Sequence, residues 1–298
     1  MAKSKLSSAT GFYIGYPFLW LIGWLPLWIL YGVADFLFLI VITIGYRRKV
    51  ITNNLNNSFP EKTDSEIHKI RTRFYKHFCD LFVETLVLQH ISAKKIQKRV
   101  KLKNVEVLTK YLKEGQNIVA VLGHYGNWEW VPVAGLSVDA VGLSVYRPLK
   151  NKYFDNFMLK LRGIFGSRNI PLNSTAREII KFRRSNQRFI LGLISDQSPS
   201  KSELNYWTNF LNQNTPIIMG PEKMAKIAKA KIIYWKMEKL KRGYYQITFI
   251  PYPGNEENAP EYAITEWQVR LLEQQIIEKP EYWLWSHKRW KYQYLYKG

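Results

Sequence analysis

The stretch NIVAVLGHYGNWEW, residues 117–130, decides the fold. Its first seven residues are a short apolar run with the length and composition of a buried strand, and the run ends at Gly123. His124 follows directly, and a helical segment is expected from about Trp128. In open α/β sheets ligands bind outside the carboxyl ends of the strands. His124 therefore stands where such a fold exposes its chemistry.

The same pattern repeats outward from this point. DAVGLSVY (139–146) is a second apolar run, residues 150–165 read as a helix, and 168–172 as a short strand. Thr175 with Glu178 has the spacing of a capping box and opens a further helix, which leads into the apolar run RFILGLIS (188–195). A polar loop, a helix near 220–230 and two strand runs, IIYWKME (232–238) and YYQITFI (244–250), come next, then a helix near 261–278. The turn KLKRG joins the last two strands, so they are expected to form an antiparallel hairpin. Alternating strands and helices predict an α/β fold with a mainly parallel sheet, mixed at that hairpin and flanked by helices. Upstream, residues 61–91 read as an amphipathic helix, capped by Thr63 and Glu66, with Ile67, Ile70, Phe74, Phe78, Leu81, Phe82 and Leu86 at helical spacing. His68, His77 and His90 fall on or beside it without clustered carboxylates or thiols, which marks them as surface or packing residues and not metal ligands.

His124 suits general-base work, because an imidazole titrates near neutrality and a carboxylate can fix its tautomer. Two carboxylates are candidates. Glu129 lies five positions on, but residues i and i+5 of a regular helix are roughly 140° apart. Glu129 reaches His124 only if the histidine sits in a turn before the helix, which Gly126 would allow. Asp196, in LGLISDQS just past another buried strand, is the second candidate; both stay open, with Glu129 slightly favoured by its spacing. Arg147 and Lys150 follow a strand in VYRPLKN, and Arg162 and Arg168 flank the next helix and strand. Arginine at a strand end is suited to gripping phosphate or an oxyanion, and Arg147 is the strongest of the four for that role.

From residue 11 to residue 46 the only ionisable side chain other than tyrosine is Asp35. That length spans a bilayer as one helix with residues to spare. Pro17 and Pro26 favour a broken start, which places the continuous helix near 27–45 and the aromatic segment before it at the interface. No small-residue cleavage site is visible, so an anchor over residues 1–50 is expected and not a signal peptide; a buried hairpin in a soluble core is the alternative. Lys3 and Lys5 precede the apolar stretch, and Arg47, Arg48 and Lys49 abut its end, which puts the body, residues 51–298, on the cytoplasmic side. Asp35 either meets a basic group of a partner or sits at the interface on a bent, shallow helix.

Of the 298 residues, 44 are Lys or Arg and 23 are Asp or Glu, a formal net charge of +21. Apolar residues at 47% exclude a disordered chain, and a single cysteine, Cys79, excludes an internal disulfide and a thiolate zinc cluster. So basic a chain calls for anionic partners. The closing KPEYWLWSHKRWKYQY mixes Trp283, Trp285 and Trp290 with basic residues, which fits an interfacial belt over anionic headgroups or stacking on single-stranded nucleic acid. The apolar anchor favours the lipid surface over nucleic acid. No GxSxG elbow, GxxxxGK[ST] loop or GxGxxG fingerprint occurs. Attack by a substrate group that a histidine activates fits what is left.

At this point the chain resembles the bacterial lipid A late (secondary) acyltransferases, a branch of the lysophospholipid acyltransferase superfamily. The resemblance runs nearly full length: an N-terminal anchor, RRKVITNNLNNSFPEKT, His124-x4-Glu129, Tyr146-Arg147-Pro148, Asp196-Gln197 and the closing PEYWLWSHKRWK. The segment WTNFLNQNTPIIMGPEKMAKIAKAKII looks like the family's Phe-rich loop before a Gly-Pro-led helix, with Trp207 and Asn209-Phe210 in place of a Phe-Phe-Gly run. The resemblance implies a glycerolipid acyltransferase-like fold and an inner-membrane enzyme. It implies transfer of a fatty acyl chain from acyl carrier protein, or acyl-CoA, to a hydroxyl of a lipid A precursor, with no metal or organic cofactor. His124 would be the base, Glu129 or Asp196 would orient it, and Arg147, Lys150, Arg162 and Gln197 would bind substrate. The same chemistry on an aminolipid or phospholipid acceptor, a non-catalytic basic membrane protein that binds anionic lipid or nucleic acid, and a metal-dependent hydrolase built on His124, Glu129 and Asp196 are the other readings.

Overall fold

The computed structural model of the chain describes residues 2–185 and 187–296; the side chains of residues 2–8, Lys3 and Lys5 among them, lie outside the described residues. In chain order the strands are β1 (Val100–Lys103), β2 (Ile118–Leu122), β3 (Val141–Tyr146), β4 (Arg168–Pro171), β5 (Phe189–Ile194), β6 (Trp207–Phe210), β7 (Gln213–Pro216), β8 (Lys231–Lys241) and β9 (Tyr244–Pro251). The helices are α1 (Ala2–Gly23), α2 (Leu27–Ile44), α3 (Arg48–Ser58), α4 (Asp64–Val87), α5 (Ala93–Gln97), α6 (Glu106–Lys113), α7 (Lys152–Gly163), α8 (Thr175–Arg184), α9 (Gly220–Ala228) and α10 (Ala263–Glu278).

Seven strands form one sheet in the order β1-β9-β8-β2-β5-β3-β4, and β6 and β7 make a separate antiparallel hairpin. Strands β8, β2, β5, β3 and β4 run parallel, while β9 turns back antiparallel to β8 as the KLKRG turn predicts. β2 is buried along its whole length. Val119 and Val121 join one hydrophobic cluster, and Ile118, Ala120 and Leu122 join the other, so alternate side chains enter the two layers that cover the sheet. This is the α/β fold expected, with three additions. β1 pairs in parallel with β9 at the sheet edge, the β6–β7 hairpin fills the polar loop, and the segment from Trp128 to Ser137 is a 3₁₀ helix.

α4 starts at the Thr63–Glu66 capping box. The matching box at Thr175 and Glu178 does not form: Ser174 occupies the N-cap, the Thr175 hydroxyl donates to Pro171 O, and Glu178 pairs with Lys181.

α2 begins after Pro26 and is, among the described residues, the helix long and apolar enough to cross a membrane. The aromatic segment before it continues as helix α1 through Pro17, and its Phe12 and Tyr16 pack on Tyr153 and Phe157 of α7. One side of α2 lies on α4, where Leu30 and Ala34 are buried with Cys79, Val83 and Val87. Trp28, Phe36, Leu39 and Ile44 remain exposed. Within the chain the Asp35 carboxylate accepts from Arg242, 2.8 and 3.0 Å away, and Arg242 also grips Asp80.

Candidate active site

Strand β2 stops at Gly123 because the chain turns there at close quarters. A Cβ on Gly123 would lie 2.7 Å from a Leu272 methyl, and Gly126 adopts φ +60°, where a Cβ would strike Met237. Between these glycines the turn presents His124 at the carboxyl edge of the sheet. β5 is the parallel neighbour of β2, so its continuation brings Asp196 to the same place.

Asp196 is the carboxylate that meets the histidine. His124 Nδ1 lies 2.7 Å from Asp196 Oδ1, and the His124 backbone N–H donates to Oδ2 at 2.9 Å. The Trp283 indole N–H donates to Oδ2 as well, at 2.7 Å. Burial by itself would raise the Asp196 carboxyl, but the charge of the imidazole and these three hydrogen bonds outweigh it and hold the group at about 2. Asp196 is thus an anion that only accepts, so Nδ1 of His124 is the donor of the pair and Nε2 is the ring nitrogen turned away from it. The His124 side chain keeps 19% of its surface open. The Gln197 amide nitrogen sits 3.4 Å from Nε2, and Trp128 meets the imidazole edge-to-face.

Glu129 occupies a different station. Both of its oxygens are engaged by Arg162, at 2.9 and 2.6 Å, and the Trp128 indole donates to one of them. The 3₁₀ turn at Trp128 sends Glu129 toward α7 and not back to His124, which corrects the preference for Glu129 as the orienting carboxylate. Arg162 is strongly retained as a cation: burial works against its charge, but the Glu129 carboxylate outweighs burial and raises it further. Arg147 and Lys150 are exposed in the loop after β3, the strand beside β5, so they share the sheet edge without contacting the His124–Asp196 pair. Arg168, which opens β4, stacks over the Phe182 ring. Among the described residues no group of three His, Cys, Asp or Glu side chains is arranged to hold a metal ion.

Two contributions escaped the sequence reading. The first is α4, which grips the turn from behind. His77 donates from Nε2 to Gly126 O, 3.2 Å away, while its Nδ1 accepts from Lys239; burial and that lysine keep it neutral. The Asn127 amide donates to Glu84 Oε2 at 2.7 Å, and Glu84, wholly buried, also accepts from Tyr31 of α2 and Tyr245 of β9. His77 is therefore the packing histidine expected, and its packing partner is the site itself.

The second is the closing segment, which forms no surface belt: Trp283, Trp285, Arg289 and Trp290 are buried. Their indoles donate to Asp196, Pro280 O and Thr215 respectively. Leu284 N–H bonds His124 O, and Gly126 N–H bonds Tyr282 O, so the segment lies along the His124 turn as a wall. The mixture of tryptophan and cation looked interfacial because composition does not show which acceptors lie within reach.

A lipid-directed acyltransferase is the class to which sequence kinship assigns the chain. The chain belongs to the bacterial lipid A biosynthesis acyltransferase family, whose model matches residues 2–292. Among solved structures it is similar to the 1-acyl-sn-glycerophosphate (LPA) acyltransferase PlsC from Thermotoga maritima, over 87% of this chain and 100% of that one, at 12% identity and a TM-score of 0.38. No curated protein sequence matches it.

Proposed function

We propose that the enzyme moves a fatty acyl chain from acyl carrier protein, or acyl-CoA, to a hydroxyl of a lipid A precursor, with His124 as general base. The observation that carries this reading is the 2.7 Å contact of His124 Nδ1 with a buried Asp196, which leaves Nε2 as the free base at an open sheet edge. Nε2 takes the proton of the acceptor hydroxyl as its oxygen attacks the thioester carbonyl. Asp196 stabilises the imidazolium that forms. As the tetrahedral intermediate collapses, the C–S bond breaks and the departing thiolate takes the proton from Nε2. The new ester leaves and neutral His124 is restored.

Gln197, beside Nε2, is placed to donate to the acceptor oxygen. Arg162, held in a fork by Glu129, and the exposed Arg147 and Lys150 supply a cationic rim for the lipid phosphate or the oxyanion. The charge of +21 suits two acidic partners, the phosphorylated lipid and the carrier protein, and an anionic membrane surface. Residues 1–50 anchor the chain, and the apolar surface of α2 faces lipid. Residues 51–298 carry the chemistry on the cytoplasmic side of the inner membrane, the side that the basic run Arg47-Arg48-Lys49 favours.

Mass spectrometry of membrane lipids from cells with and without the gene tests this. A lipid A species lighter by one acyl group in the deletion strain, restored by wild type and not by His124→Ala, is the expected result. Unchanged lipid A with an acyl chain lost from an aminolipid or phospholipid would move the acceptor. Restoration by a folded His124→Ala chain would remove the base.

A further inference from the structure

Arg289 sits in the closing segment with its side chain buried and no carboxylate against it. Its Nη2 donates to Pro216 O at 2.8 Å, while Nε and Nη1 have no hydrogen-bond partner among the described residues. Its backbone is fixed by Ser198, whose hydroxyl donates to Arg289 O at 2.5 Å. A guanidinium taken out of water with two donor nitrogens unmet is costly unless an opposite charge or a water answers it.

A small cavity accounts for both. Arg289, Gln268, Ser195 and Asp196 line it together, among apolar side chains such as Leu272. Gln268 is also buried, and its Nε2 is likewise unmet, while its Oε1 accepts from the Ser195 hydroxyl. The space open to the centre of a water-sized sphere is about 20 Å³, enough for one water. Such a water can accept from Arg289 and Gln268 and donate to Asp196, whose Oδ1 has one donor in His124 and a lone pair to spare.

We propose that Arg289 is a positioning residue for the His124–Asp196 pair: across this cavity its guanidinium is the buried counter-charge to Asp196, joined to it by one ordered water that Gln268 also holds. The inference rests on His124 acting as base. The bridge holds the Asp196 carboxylate from the cavity and brings the net charge of His124, Asp196 and Arg289 together to zero while His124 is neutral. The other titratable groups facing it are His287, whose Nε2 accepts from Ser198 N–H, and Tyr234 of β8. Burial holds both neutral, so Arg289 is the buried cation beside the pair.

Removal of that cation lets Asp196 hold the imidazolium more tightly. The protonated, inactive form of His124 then persists to higher pH. The test is the pH profile of thioester turnover, from about pH 5 to about pH 9, by the full-length chain with an acyl thioester donor and lipid acceptor. Arg289→Met is expected to move the acid limb upward by about one pH unit, and Arg289→Lys, which keeps the charge, to leave it in place. A folded Arg289→Met chain with an unmoved limb overturns the proposal, because lost packing alone lowers stability without shifting that limb. If Arg289→Met does not fold, a high-resolution crystal structure of the wild-type protein decides. A water in hydrogen-bond contact with Arg289, Gln268 and Asp196 supports the bridge, and a dry cavity overturns it. A wild-type chain without turnover would instead contradict the general-base reading, and the crystallographic result would still judge the bridge.

Discussion

The two tryptophan-rich ends of the molecule have similar compositions and opposite fates. Near the N-terminus, Trp24 and Trp28 are 60% and 76% exposed on a chain segment almost free of charge. Near the C-terminus, Trp283 and Trp285 are 3% and 0% exposed although the run around them is strongly basic. The difference lies in what each indole N–H can reach. Trp283, Trp285 and Trp290 each find an acceptor inside the fold, at 2.7, 2.6 and 2.7 Å, so their rings are buried without a stranded donor. Trp24 lies in the turn between α1 and α2 with its ring stacked on His90, and Trp28 stands on the outer side of α2; both leave most of their surface open, which is the arrangement an apolar solvent rewards. Aromatic content reports affinity for a nonpolar phase; the available acceptors decide whether that phase is lipid or protein interior.

Substitutions at the two ends should differ in effect by their burial. Trp285→Ala, at the fully buried site, is expected to cost about 3–5 kcal/mol of stability, read by chemical denaturation. A loss below about 1 kcal/mol would mean that the closing segment is not part of the core. Trp283→Phe keeps an aromatic ring in the wall and deletes the donor to Asp196. We expect kcat to fall by about 10- to 100-fold, with KM little changed, since a hydrogen bond to a charged group contributes about 1.5–3 kcal/mol. An unchanged kcat would separate the wall from the dyad.

Acid tests the same region. Burial, helped by Arg289, His124 and Lys291 and opposed by Asp196, pushes His287 down to about 4, and His77 is also held well below its ordinary value. In the unfolded chain both protonate near about 6.5. Between those limits the unfolded state binds more protons, so stability should be full above about pH 6.5 and fall as pH drops toward about 4. Equal denaturation midpoints at about pH 7 and about pH 5 would contradict this. The smallest effect belongs to the exposed end: Trp28→Ala should change stability by less than about 0.5 kcal/mol. The same change should weaken sedimentation with anionic vesicles, and unaltered vesicle binding would show that this face of α2 does not meet lipid.

What could be read without coordinates follows from the same physics. The strands ending at Gly123 and Ser195 were legible as apolar runs, and parallel pairing then brings His124 and Asp196 to one edge. The left-handed turn at Gly126 and the 3₁₀ path after it were not legible from periodicity, so Glu129 looked closer to His124 than it is. Trp283 meets Asp196 across 87 residues of sequence, and Asp35 meets Arg242 across 207. Hydrophobic patterning locates faces and leaves the choice of polar partner across such distances open. For that reason the shape of the sheet was readable and the wall of the site was not.

If Asp196 orients His124 while Glu129 serves Arg162, the two carboxylates separate in one paired measurement: kcat and KM for Asp196→Asn and Glu129→Gln with the same thioester and acceptor. Asparagine would offer an N–H where Nδ1 needs an acceptor and so select the wrong tautomer, and kcat should drop by about 10³–10⁴ with the fold intact. Glu129→Gln should act mainly on KM through a loosened Arg162. Near wild-type kcat in Asp196→Asn, or an equal collapse of kcat in Glu129→Gln with KM unmoved, would contradict the account.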